Sequence, residues 1–429
     1  MAVQASSAKR LAILLLAAVS MHGSVLLGQE ASRQLVSMED WPAWLVEAMA
    51  RESTAHAATP VSIPDRSLST EIHGEDIQDL QPQDMGWYLT SAIDAVTPVE
   101  CWIFTSPVDR AATVRNITQL NVNASAKLNG EVINRDVFSL DSGMIGRSPY
   151  LALETLFSMG SEDKTVVGFV KVRLAGRDGI QFACSHNQVG FRQTFARVFE
   201  HFVNSATFEA SATQPFLRQV HRQSLDGLAI GIIESTYAVD ADGDFALTSK
   251  ESNLIPQNGA DVNSTDNYDY AFWKPDGALI NQVHVSSENG QQVTNLNLQS
   301  AEKSMYKLSG NYQGQEVELV FEDRDGPLSD IELMLETQRM IADPARDSMS
   351  AKVWRATIDP TRFIETSMTF VPGGRDELRA VASVGPINLS VQLDEFGQMK
   401  SALSIIESIK VLVERIYREG QPPTISGDE

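Results

Sequence analysis

The chain has 429 residues, 43% of them hydrophobic, and carries 56 acidic against 34 basic side chains for a formal charge of −22. That apolar fraction supplies material for real cores and excludes global disorder. The negative surface excludes nucleic acid as a natural partner and disfavours anionic headgroups.

Lys9 and Arg10 are the only charges among the first 28 residues, and an apolar run from Leu11 to Val19 follows them. Ser20, Gly23, Ser24 and Gly28 then give a small-residue exit. This is the layout of a signal peptide over residues 1–28, with cleavage after Ser20 or Gly28. The run is short for a membrane span, so an uncleaved anchor is the lesser alternative. The expected destination is the periplasm or the exterior, with membrane contact only through an unprocessed leader.

Residues 29–83 read as a linker with one short helix. Trp44, Leu45, Ala48 and Met49 fall on one stripe after Trp41-Pro42, and docking on the protein's own body is its default. Pro60, Pro64 and Pro82, among serines, threonines and acids, give the rest a linker composition.

Residues 84–224 are expected to form a first folded unit. A short helix over Met85–Val96 stops at Pro98, and Val99–Thr105 reads as a strand. Asn129-Gly130 predicts a hairpin between Ala126–Leu128 and Glu131–Ile133. Thr165–Leu174 and Ile180–Cys184 are further strands. Phe191, Phe195, Val198, Phe199 and Phe202 then share one helical face suited to a sheet.

Residues 225–429 read as a meander of short strands punctuated by Asp242-Gly243, Pro275-Asp276-Gly277 and Asn289-Gly290. Leu328–Ile341 is taken as strand plus turn. Met399, Leu403, Ile406, Ile409, Val413 and Ile416 form a stripe that predicts a final helix over Gly397–Arg418. The expected fold is α+β: two antiparallel-sheet units, each covered by a long amphipathic helix.

The chain has two cysteines, Cys101 and Cys184. In an oxidising compartment an even pair predicts one disulfide, with two buried thiols as the alternative. Asp240-Ala241-Asp242-Gly243-Asp244, with Thr248 and Glu251 beyond, fills most oxygen positions of a calcium loop. Phe245 stands where that loop needs glycine, and a β-branched run precedes it, so a plain hairpin turn is the default reading. Asp240, Asp242, Asp244 and Glu251 remain the candidate calcium ligands. The histidines form no metal-ligand spacing. His201 flanks the Phe-rich helix as a boundary residue. His186 lies two residues after Cys184, and a Cys–His nucleophile would require that cysteine to be free. Neither a G-x-S-x-G elbow nor a phosphate-binding glycine loop is present. Function therefore reads as an exported, non-catalytic binding or structural protein with an unspecified protein or small-molecule partner. An exported hydrolase using carboxylates or a metal is the alternative, and a calcium-dependent structural module a third.

Overall fold

The computed structural model describes residues 35–423 apart from 40, 55, 64–66, 79, 94–96, 162, 163, 208–214, 258, 303 and 407. The leader lies outside these residues. Strand makes up 58% of the structure and helix 14%. The expectation of an α+β fold with a long helix over each sheet is thus corrected to a predominantly β architecture of two large antiparallel sheets.

Helix α1 (Ala43–Met49) buries Leu45, Ala48 and Met49 while Trp44 stays 56% exposed. Leu45 and Met49 pack with Phe138 and Phe169, so the helix docks on its own body. The segment read as linker also contains a hairpin, β1 (Ala58–Ile63) and β2 (Leu68–His73).

The first large sheet has seven strands. They are β3 (Gln81–Gln83), β4 (Gly86–Ala92), β5 (Pro98–Phe104), β6 (Glu131–Ile145), β7 (Ser148–Ser161), β8 (Lys164–Arg177) and β9 (Ile180–Asn187). Their order is β3-β4-β5-β9-β8-β7-β6. Helices α2 (Arg110–Asn129) and α3 (Arg192–Asn204) lie on opposite faces. On α3, Phe195, Phe199 and Phe202 are fully buried against Ile103 and Phe182, as the phenylalanine spacing predicts.

The second sheet has fourteen strands. One arm is β10 (Leu217–Leu225), β11 (Leu228–Val239), β12 (Phe245–Gln257), β13 (Asp261–Trp273), β14 (Leu279–Glu288), β15 (Gln291–Glu302), β16 (Met305–Tyr312) and β17 (Gln315–Glu322). The other is β18 (Ser348–Val353), β19 (Ile364–Phe370), β20 (Arg379–Val384), β21 (Ile387–Leu393), β22 (Met399–Ile406) and β23 (Ile409–Gly420). Each arm is a plain meander, and the arms join where β10 pairs with β23. Strand β10 begins before residue 225, so the second sheet recruits the end of the segment assigned to the first unit.

The sheet curls, because strands far apart in its order touch the same groups. Helix α4 (Asp330–Ala342) packs Ile331 and Met334 on Leu217 of β10. The same helix packs Leu333 and Met340 with Met368 and Phe370 of β19, five places away. The two ends also approach each other. Phe363, just before β19, stacks edge-on against Tyr306 of β16 at 4.7 Å and meets Phe321 of β17 at 5.3 Å. Lys352 of β18 holds Asp323 at 2.9 Å. The result is a curled sheet filled by its own helix. On its outer side, Ala111 and Val114 of α2 pack between Ile230 and Leu254 of this sheet and Leu151 and Val172 of the other.

Four local assignments are corrected. Gly397–Arg418 is the hairpin β22–β23, turned at Ser408 with φ 75°. Burial there alternates (Ala402 and Ser404, then Val411 and Val413), the period of a half-buried strand. Asn129-Gly130 closes α2, with Gly130 at φ 102° and ψ −174°, an extended positive-φ conformation that glycine adopts without strain. Met85–Val96 contains strand β4, whose seven pairs with β5 fix it in the sheet. Leu328–Ile341 becomes α4 through a capping box. The Ser329 hydroxyl accepts from Glu332 N–H, and the Glu332 carboxylate accepts from Ser329 N–H. We expect Ser329→Ala to lower the urea midpoint by the equivalent of about 1 kcal/mol. An unchanged midpoint would mean that packing alone holds the helix.

Candidate functional site

The inner face of the curled sheet over β10–β14 is polar, which is unusual for a buried surface. Glu251 on β12 faces inward because its cross-strand neighbour Ile233 does so. Its carboxylate accepts from Gln223 Nε2 at 2.9 Å, Asn253 Nδ2 at 2.9 Å and Asn267 Nδ2 at 3.1 Å. Burial raises its pKa against those three donors. One register step away, His284 Nδ1 lies 2.8 Å from Asp269 Oδ1. Burial opposes charging His284, but the Asp269 carboxylate outweighs it and the net shift is upward. Asp330, at the start of α4, closes this side with Arg355 at 3.7 Å. Among the described residues, no serine, threonine or cysteine is hydrogen-bonded to His284, so the pair lacks an attached nucleophile.

A second cluster lies on the outer face, where α2 enters. Glu234 accepts from Arg110 Nη2 at 2.8 Å and Arg218 Nε at 2.9 Å, and all three side chains are buried. Asp266 of β13 accepts from the backbone N–H groups of Ala111 and Ala112, both at 3.0 Å, and from the Ser252 hydroxyl at 2.6 Å. A carboxylate from the sheet therefore caps the first turn of α2, where orphan N–H groups favour an anion. Burial still pushes the Asp266 pKa up to about 6. A raised carboxyl pKa means that the folded state holds the proton more tightly than the unfolded chain. This group's contribution should therefore favour folding increasingly as pH falls from about 6 towards the ordinary carboxyl range. Asp266→Asn should flatten that part of the curve, as measured by urea unfolding at pH 4.5, 5.5 and 7.

A small cavity of about 70 Å³ lies between α4 and the sheet. His221 of β10, Tyr237 of β11, Met334 of α4, Met368 of β19 and Met399 of β22 contribute to its wall. His221 is 6% exposed. Burial, reinforced by the Arg415 charge, lowers its pKa to about 4.

The candidates read from sequence fall as follows. Cys101 and Cys184 form a disulfide between directly opposed residues of β5 and β9. That removes the free thiol a Cys–His nucleophile requires. His186 is instead a buried ring between Phe191 and Phe195. His201 is half-buried beside Glu71 at 3.2 Å. Asp240 and Asp244 sit together in the β11–β12 turn, where Asp240 Oδ1 accepts from the N–H groups of Asp242 and Asp244, both at 2.9 Å. Glu251 does not join them: it lies six residues up β12, about 20 Å along an extended strand. Among the described residues no three His, Cys, Asp or Glu side chains gather as a metal site.

The Arg110–Glu234–Arg218 cluster, Asp266, the Asp269–His284 pair and His221 were not singled out from sequence. A faint signal existed in Glu234, a charge ending the apolar run Ile230–Ile233 of a strand.

No protein-family model matches the chain, and no curated protein matches it. A crystal structure described as a beta-barrel-like protein of domain of unknown function DUF1849 from Brucella abortus aligns with 48% of this chain and 98% of its own, at a TM-score of 0.36 and 11% identity.

Proposed function

We propose that this chain is an exported protein that works by binding rather than by turnover. The leader pattern and the single disulfide support export, since such bonds persist in oxidising compartments. The observation that carries the rest is the state of Glu251: three amide donors hold its carboxylate in an interior filled by α4. A general acid or base needs access to substrate, whereas this group is engaged by its neighbours. The hydrolase reading draws on the Asp269–His284 pair alone.

The test is a screen of the purified, disulfide-intact protein against ester, glycoside, peptide and phosphoester substrates, with and without calcium or zinc. The expected result is no turnover. Hydrolysis that disappears in Glu251→Gln or His284→Gln would overturn the reading. Export is tested by cell fractionation and the intact mass of the product. A full-length chain in the cytosol with both thiols reduced would remove that part.

A further inference from the structure

Four soft or borderline donors from four separate elements line the cavity under α4: His221, Met334, Met368 and Met399. The histidine is the informative member. Its Nε2 is buried with no hydrogen-bond partner among the described residues. The ring's hydrogen bond goes to the backbone of Met399, which leaves Nδ1 as the donating nitrogen. A neutral imidazole donating from Nδ1 carries its lone pair on Nε2, the arrangement of a ligating histidine whose other nitrogen is fixed by a carbonyl. Leaving a buried acceptor unsatisfied is costly, because its bond to water is lost and nothing replaces it. The wall also carries the hydroxyls of Ser235, Tyr237 and Thr337 and the amides of Gln219 and Gln398, yet none of them is hydrogen-bonded to this nitrogen.

The cavity's size and chemistry narrow the occupant. About 70 Å³ exceeds the space one water needs but is far below the several hundred Å³ of an organic-ligand pocket. Hard cations such as calcium or magnesium require oxygen ligands. The carboxylate in this wall, Asp330, faces Arg355 instead, and the wall's other side-chain oxygens are neutral hydroxyls and amides with no charge to hold a hard cation. Thioethers beside one imidazole are a neutral, soft set, and such sets select monovalent copper.

We infer that His221, Met334, Met368 and Met399 form a binding site for one Cu(I) ion inside the curled sheet. The inference rests on the binding reading above and names what the interior takes. Methionine is also an ordinary gap-filler in cores. The experiment must therefore separate ligation from packing, which Met→Leu does because it preserves volume.

Cu(I) bound to bicinchoninate, kept reduced with ascorbate, is titrated anaerobically with disulfide-intact protein. The wild type should withdraw one equivalent of copper. His221→Gln and the pair Met334→Leu/Met399→Leu should each weaken retention by at least about tenfold. Their circular dichroism and thermal midpoints should stay near wild type. X-ray absorption on the loaded wild type should show sulfur together with nitrogen in the first shell, a readout that survives even if a variant fails to fold. No copper withdrawn, equal retention by the folded variants, or a shell of nitrogen and oxygen alone would each overturn the inference. None of these outcomes touches the reading of a non-catalytic protein, which falls only to turnover in the substrate screen.

Discussion

Glu234→Gln should destabilise the protein by about 3–5 kcal/mol, because it strands the guanidinium groups of Arg110 and Arg218 in a buried position. Arg110 opens α2 and Arg218 belongs to β10, so this carboxylate joins the helix to the second sheet. Removing both partners should be milder than removing the acid alone. The variant with Glu234, Arg110 and Arg218 all changed to Met should recover much of the loss, since apolar replacement of a buried ion cluster is often neutral. Burial pushes the Glu234 pKa up, but the two guanidinium groups overcome this and hold it at about 2, below its ordinary value of 4.5. A depressed carboxyl pKa stabilises the fold above the ordinary value. That contribution should be lost progressively as pH falls from about 4.5 through about 2. Urea midpoints across this range should therefore converge for wild type and Glu234→Gln at the acid end. Parallel curves would show that Glu234 is not the titrating group.

Opening the Cys101–Cys184 bond should cost about 4–5 kcal/mol, the chain-entropy estimate for a loop of this size. The sequence separation is 83 residues, and the loop contains α2 and three long strands. The measurement is urea unfolding of the wild type with and without dithiothreitol, alongside Cys101→Ala/Cys184→Ala. Reduced wild type and the double variant should agree within the small cost of the side chains lost. Equal midpoints in the oxidised and reduced forms would show that the cross-link adds nothing. A loss of the expected size would make the fold dependent on an oxidising compartment, as the export reading requires.

The turns of the second sheet were legible because their residues demand particular backbone angles. Asp242-Gly243, Pro275-Asp276-Gly277 and Asn289-Gly290 all connect adjacent strands, with Gly243, Gly277 and Gly290 at positive φ. The same logic misled at Asn129-Gly130. A glycine at φ 102° can end a helix as well as turn a hairpin, and the dipeptide does not say which. The stripe over Met399–Ile416 failed for a related reason. Hydrophobic positions on both sides of a short turn at Ser408 imitate a helical repeat.

The polar interior was hidden for a different cause. Alternation reveals an inner face only when the opposite face is wet. Here strands β10–β13 of the second sheet are buried on both sides over much of their length. Ile232 and Leu254 face α2 and the first sheet, while Glu251, Asn253 and Asn267 face inward. Strand β12 consequently reads as mixed rather than alternating, and Glu251 was assigned to a turn motif from which the strand carries it away.

The junction of β10 with β23 has a kinetic consequence. Every other neighbour in the fourteen-strand sheet is joined by a local connection, but Leu217 pairs with Gly420, roughly two hundred residues on. Local hairpins form in microseconds, whereas distant partners must first meet at an entropic cost that slows assembly. Each arm can zip as it emerges, yet the seam waits for the last strand. Until then the newborn polypeptide presents two unpaired edges, a state in which stray strand addition competes with completion.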